Sequence, residues 1–297
     1  MHKYKLVLEF DGTAYRGWQL QTNARSIQGE LLEAAERLLG GKVEIQGAGR
    51  TDAGVHALGQ VAHLTTAVKM RPQAMRDALN DLLPANINIL QVQSVPMEFH
   101  ARHHARSRSY IYLVSRRKTA FGKRYVWWIK DELNVKEMQS VLALFRGFHD
   151  FASFADKRRD KQESTLVDLR QAELFDCNGL LIFRFVGSHF LWRMVRRLVG
   201  VTVEAGKGKL SPAAIGQMLF SESDLPARMT APASGLFLEY VQYETSDNDK
   251  GDFFQCPLEG YKGANEIFSG GKAIENNCNL ANKCQPLRLP VPPFFLI

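Results

Sequence analysis

"KYKLVLEF", residues 3–10, alternates polar and apolar side chains with the period of a half-buried strand, and "SIQGELLEAAERLLGG", residues 26–41, replaces it with the period of a helix. Ile27, Leu31, Ala35, Leu38 and Leu39 share one helical face, Ser26 stands at the N-cap position, and the closing glycines stop the helix. Working outward, "KVEIQ" (42–46) and "GQVAHLTT" (59–66) read as strands. "RPQAMRDALNDLL" (71–83) reads as a helix with Pro72 in its first turn, and "INILQVQSV" (87–95) as a strand. The order β-α-β-β-α-β then recurs. A strand "SRSYIYLVSR" (107–116) and a helix "NVKEMQSVLALFRG" (134–147) lead to a hairpin, "VDLRQAELFDCNGLLIFRFVG" (167–187), with Asn178-Gly179 at its turn. Helices over "SHFLWRMVRRLVGVTVEAG" (188–206) and "SPAAIGQMLF" (211–220) precede a last strand, "GLFLEYVQY" (235–243). Two ferredoxin-like α+β subdomains follow, residues 1–105 and 106–243, on mainly antiparallel sheet with a cleft between them. Residues 244–297, rich in Gly, Asn and Pro without a sustained period, predict an irregular or partly disordered extension.

With 297 residues and 45% hydrophobic content the chain can bury a sizeable core. Residues 1–243 carry 33 basic against 24 acidic side chains, a balance that suits a polyanionic partner or simply a solubilising surface. Cys177, Cys256, Cys278 and Cys284 have neither CxxC spacing nor a paired pattern, which argues against a structural zinc or a disulfide framework. No window approaches a bilayer span and the N-terminus lacks a signal-length apolar run, so a soluble cytoplasmic protein is expected.

"GAGRTDAGVHA" (47–57) sets one carboxylate, Asp52, in a glycine-rich bend. Its plain reading is a turn in which Asp52 caps its own loop. A dinucleotide loop is excluded by the spacing GxGxxxxG, and "EAGKGKLS" (204–211) fails as a phosphate loop because Leu210 stands where Ser or Thr belongs. The functional reading has Arg50 holding Asp52 ionised and aimed into the cleft, as a nucleophile or base. "FHARHHARSRSYIYLV" (99–114) collects His100, His103 and His104 with Arg102, Arg106 and Arg108 ahead of Tyr110 and Tyr112. That is either a phosphate-facing surface backed by phenols or an exposed basic strand edge with core tyrosines; a metal there would face strong charge repulsion. In "SHFLWRMVRRLVG" the stripe Phe190, Met194, Leu198 and Val201 marks a helix whose arginines, Arg193, Arg196 and Arg197, suit a solvated face or RNA. Trp18, in "FDGTAYRGWQLQ" (10–21), reads as core filler.

Together "FDGTAYRGWQLQ", "GAGRTDAGVHALGQVAHL", "FHARHHARSRSYIYLV", "GFHDFASF", "FLWRMVRRLVG" and "SGLFLEYVQY", in that order, resemble the tRNA pseudouridine synthase A family over residues 5 to about 243. The resemblance implies the pseudouridine synthase fold and a cofactor-free, metal-free isomerase that converts uridine to pseudouridine at positions 38, 39 and 40 of the tRNA anticodon stem-loop. It makes Asp52 the catalytic carboxylate, by attack on the sugar or the ring or by removal of a ribose proton, and Arg50 its ion-pair partner. Tyr110 then stacks on the uracil and accepts the C5 proton, while Arg196 and Leu236 line the pocket. Arg102, Arg106, Arg108 and Trp18 are the further expected substrate contacts, and a homodimer with one tRNA touching both subunits is the expected assembly. Two departures stand out. Some fifty residues follow the point where the family usually ends, and His103 and His104 make the second motif more basic than usual, which brings pH into RNA binding. The competing readings are a noncatalytic tRNA-binding protein of the same fold and a metal hydrolase built on the histidines.

Overall fold

The last described strand stitches the two halves of the fold together, and this decides where the site lies. The computed structural model describes residues 1–158, 164–177 and 179–244; the expected extension beyond Glu244, and Asn178 of the expected turn, lie outside them. The strands are β1 (His2–Phe10), β2 (Glu44–Gly47), β3 (His56–Thr66), β4 (Ile87–Val95), β5 (Ser107–Ser115), β6 (Trp127–Trp128), β7 (Gly147–Asp150), β8 (Leu166–Cys177), β9 (Leu180–Gly187) and β10 (Leu236–Gln242). The helices are α1 (Ile27–Leu39), α2 (Pro72–Leu82), α3 (Val135–Phe145), α4 (Met194–Gly206), α5 (Pro212–Gln217) and α6 (Leu225–Arg228).

Among the described residues the strands form one ten-stranded sheet in the order β4-β1-β3-β10-β5-β9-β8-β7, with β2 on β3 and β6 on β5. Within residues 1–105 the order β4-β1-β3-β2 is antiparallel throughout, and β10-β5-β9-β8 repeats it in the second half. Both are the arrangement expected of a ferredoxin-like unit. On the edge away from β1, β3 is long enough to serve two neighbours: Glu44–Gly47 pair along its C-terminal part, and Phe237 and Leu238 run parallel to His56 and Ala57 at its start.

The local signals act as the sequence implies. Ser26 Oγ accepts the Gly29 N–H at 3.2 Å, and Gly40 closes α1 with its N–H on the Glu36 carbonyl. Ile27, Leu31, Ala34, Ala35 and Leu39 face the core, each larger side chain worth roughly 2 kcal/mol of burial. One buried cluster gathers α1, α2 and β1 to β4; the other gathers α3 to α5, β5, β8 and β9. β10 belongs to both, with Leu236 in the second and Leu238 and Val241 in the first, so no clean cut falls between the halves.

Two expectations fail here. The helix read from Ser188 begins only at Met194, because Arg193 takes a left-handed conformation at φ 63°. α4 is not an amphipathic helix with a solvated basic face either: both sides pack against protein and Arg197 is buried. Its charge is neutralised locally, by Asp156 Oδ2 at 3.6 Å and the Ala155 carbonyl, so solvent is not needed to carry it.

Candidate functional site

Asp52 sits at the junction of the two halves, in the loop that enters β3. The Val55 N–H closes a turn on the Asp52 carbonyl at 3.2 Å, with Gly54 at φ 76°, a backbone state that side-chained residues rarely adopt. The 10–21 loop braces this turn through Trp18 N–H to Thr51 O at 3.1 Å and Gly54 N–H to Tyr15 O at 3.3 Å. Gly17 makes the approach possible: it has φ 96°, and a Cβ there would lie 2.4 Å from the Thr51 carbonyl oxygen. Two of the motif glycines thus serve one purpose, pressing two loops together so that the acid is rigidly presented.

The carboxylate has two partners. Arg196 Nη1 donates to Oδ2 at 2.9 Å, and the indole Nε1 of Trp192 donates to Oδ1 at 2.8 Å. The Arg196 and Asp52 side chains are 15% and 21% exposed, so the pair is shielded yet open on one side. Arg196 is itself fixed by its Nε on the Ala231 carbonyl at 2.7 Å, while the Ala231 N–H returns a bond to the Arg196 carbonyl at 3.0 Å. The expected ion pair is therefore corrected: the guanidinium on Asp52 is that of Arg196, and Arg50 is exposed. The turn separates them, since Asp52 folds inward towards α4 while Arg50 lines a groove of about 460 Å³ with Trp18, Gln28, His100 and Arg102. Asp52 does not line that groove.

Tyr110, on β5 opposite Leu238 and Phe185, is half-buried where both cores meet, with its ring edge-on to Phe190 at 5.0 Å between centroids. Burial pushes its phenol up to about 12; Arg108 opposes the rise and the Asp52 charge adds to it. At neutral pH the group is a protonated phenol. Leu236 is buried opposite Tyr112. Trp18 is 2% exposed, packed 6.3 Å from the Phe10 ring, and reaches the groove only by an edge, which matches the core-filler reading.

The arginines of the 99–114 segment divide. Arg102 is exposed, and Arg106 is exposed and paired with Glu244. Arg108 is not free to grip phosphate: its guanidinium donates to the carbonyls of Ala105, Ser188, Ala48 and Arg102 at 2.8–3.2 Å, tying loop ends together. His100 Nδ1 accepts the N–H groups of Arg102 and His103, which caps the turn. Among the described residues no group of three His, Cys, Asp or Glu side chains is arranged to hold a metal ion, and no helix is long and apolar enough to cross a membrane.

Several participants lie in or beside the quoted motifs without the sequence giving them a place at the Asp52 site. His56, buried behind the turn, has Nδ1 3.1 Å from both the Gly12 N–H and Asp11 Oδ1, and it stacks on Phe237. Tyr125 completes that group with its hydroxyl on Asp11 Oδ2 at 3.0 Å. Trp192 and its supports, Arg158, Arg193 and Asp156, lie in stretches where periodicity shows only a helix or a loop.

A family model described as tRNA pseudouridine synthase matches residues 6–104 and 141–244. The tRNA pseudouridine synthase A of an Exiguobacterium species is 37% identical over 83% of this chain and 100% of its own length. That of Thermodesulfovibrio yellowstonii is 40% identical over 82% of this chain and 100% of its own. Among solved structures, a Cbf5-Nop10-Gar1 complex overlaps 67% of this chain and 54% of its own at TM-score 0.29 and 12% identity.

Proposed function

The chain belongs to the tRNA pseudouridine synthase family and is an isomerase of that class, and on this premise we propose that it acts at uridines 38, 39 and 40 of the anticodon stem-loop with Asp52 as the catalytic carboxylate. The observation that carries the reading is a partly exposed acid gripped on both oxygens by donors from the other half of the fold, with a buried phenol near enough to feel its charge. A turn that merely capped itself has no need of either donor.

The isomerisation breaks the N1–C1′ bond, turns the base, joins C5 to C1′, and exchanges the C5 proton for one on N1. A uridine within a stem must first leave its stack, at a cost of a few kcal/mol. Exposed Arg50 and Arg102, on the groove beside the Asp52 loop, grip phosphates and offset that cost. The Asp52 carboxylate, paired with Arg196, attacks the sugar or the ring, or removes a ribose proton; a fixed carboxylate serves each route. Tyr110 stacks on the uracil. Because its phenol is protonated at neutral pH, it takes the C5 proton while giving its own to water, and N1 takes a proton back from water, so the exchange balances. By the same family resemblance the enzyme works as a homodimer, each tRNA touching both subunits.

Tritium release from tRNA labelled at uridine C5 tests the reading. Wild type is expected to release label, and Asp52→Asn none while tRNA binding stays within about threefold, since shape and size barely change. Turnover by Asp52→Asn without deamidation to Asp removes the carboxylate from its role, and binding without release by the wild type supports the noncatalytic alternative.

A further inference from the structure

Trp192 is 42% exposed, yet it is held from four directions. Its ring lies under the guanidinium of Arg158 at 4.3 Å and that of Arg193 at 5.3 Å. Both cations converge on Asp156, at 3.0 Å from Arg158 Nε and 3.3 Å from Arg193 Nη1. Asp156 is 4% exposed and is held down to about 2, first by the Arg158 hydrogen bond. The Asp156 N–H also donates to the Trp192 carbonyl at 3.2 Å, and the backbone turns left-handed at Arg193 directly after it. At the end of this clamp the indole N–H meets Asp52 Oδ1. Surface tryptophans that only fill space do not need so many restraints, least of all a strained backbone beside them.

We propose that Trp192 is a positioning residue for the isomerisation, locking the plane of the Asp52 carboxylate through its indole N–H, with Arg158, Arg193 and Asp156 as the clamp that holds the indole still. The proposal rests on Asp52 being the catalytic group. A carboxylate gripped at one oxygen turns readily about its last torsion, which has broad minima. Arg196 on Oδ2 leaves that freedom, and a second donor on Oδ1 removes it. Each oxygen keeps a further lone pair for the nucleotide. Holding a reacting group in its productive orientation is where enzymes gain much of their rate, and a misplacement of about 1 Å costs on the order of a hundredfold.

Trp192→Phe keeps an aromatic ring beside the two guanidinium groups and removes the N–H together with the pyrrole part of the indole. Single-turnover rates with saturating enzyme, and tRNA Kd by filter binding, are measured for Trp192→Phe, Arg158→Gln, the double variant and Asp52→Asn. The expected result is a fall of about tenfold or more in the rate for Trp192→Phe with Kd within about threefold, and a smaller fall for Arg158→Gln. The double variant is expected to be no slower than Trp192→Phe alone, since Arg158 acts through the indole that is already lost. A wild-type rate for Trp192→Phe, a loss confined to Kd, or additive effects in the double variant overturns the proposal. If Asp52→Asn is inactive while Trp192→Phe is fully active, only the role of Trp192 falls; if Asp52→Asn is active, the reading beneath it falls instead.

Discussion

Replacing Arg196 by lysine isolates geometry from charge. Both side chains carry +1, so the long-range attraction to Asp52 largely cancels between the two proteins. What lysine cannot supply is a fork that reaches Asp52 Oδ2 at 2.9 Å with one nitrogen and the Ala231 carbonyl at 2.7 Å with another. Its ammonium has three N–H groups but only one nitrogen, which cannot stand at both the Nε and Nη1 positions, so one of the two contacts lengthens. The pair is only 15% and 21% exposed, so water replaces the missing donor poorly. If the ammonium goes to Ala231, Asp52 loses one charge-assisted bond worth about 1.5–3 kcal/mol. Expressed in the transition state, that is about a 10- to 150-fold fall in kcat. If it goes to Asp52 instead, the Ala231 carbonyl is left unpaired, at about 1 kcal/mol of stability and about 2–4 °C in Tm for a fold of this size. Single-turnover tritium release gives the first quantity and thermal melting the second. A variant that keeps kcat within threefold and also keeps its Tm refutes the two-acceptor role of Arg196.

Arg50→Ala is expected to leave stability within about 0.5 kcal/mol and to lower the slope of log K for tRNA against log salt by about 1, read by anisotropy titrations at several salt concentrations. An unchanged slope removes Arg50 from the phosphate contacts. Gly17→Ala forces a Cβ against Thr51 O at a positive φ, and is expected to cost about 1–3 kcal/mol in denaturant unfolding and to depress kcat by displacing the Asp52 loop; an unperturbed variant contradicts the bracing argument. His63 is held down to about 4, by burial first and then by the charges of His100 and Lys3. The unfolded chain therefore binds the extra proton between about pH 6.5 and pH 4, so stability is full above that window and falls through it, by at most about 3 kcal/mol. His63→Gln, which still offers an acceptor to the Ala101 N–H, is expected to flatten that slope in urea melts at pH 4.5, 5.5 and 6.5.

Much of the architecture is legible in the chain because its causes are short-range. The alternation of 3–10, the Ser26 cap and the apolar faces of α1 and α2 involve neighbours a few residues apart, and the structure places β4 over the same nine residues, Ile87–Val95. The helix read from Ser188 fails at its start for the opposite reason. Residues 188–193 have helical periodicity, but a distant contact prevails: Trp192 is drawn to Asp52 and Asp156 by partners 140 and 36 residues away, and the backbone turns left-handed at Arg193 to allow it.

The candidate site divides the same way. The motif marks Asp52 and the glycine after it, since a bend is written in adjacent residues, and the family resemblance is what adds a role for Asp52 and Tyr110. Which cation meets the acid is another matter. Arg50 is two positions from Asp52 and Arg196 is 144, yet the pair forms with Arg196 because β10, inserted between β3 and β5, joins the sheet carrying the Asp52 loop to the half carrying α4. Arg108 and Arg197 look alike in a sequence and differ from the exposed Arg102 only once carbonyls and Asp156 have closed around them. Periods, caps and turns depend on covalent neighbours and are set by the sequence alone. Hydrogen-bond and charge partners depend on distances across the folded sheet, and only the tertiary structure decides them.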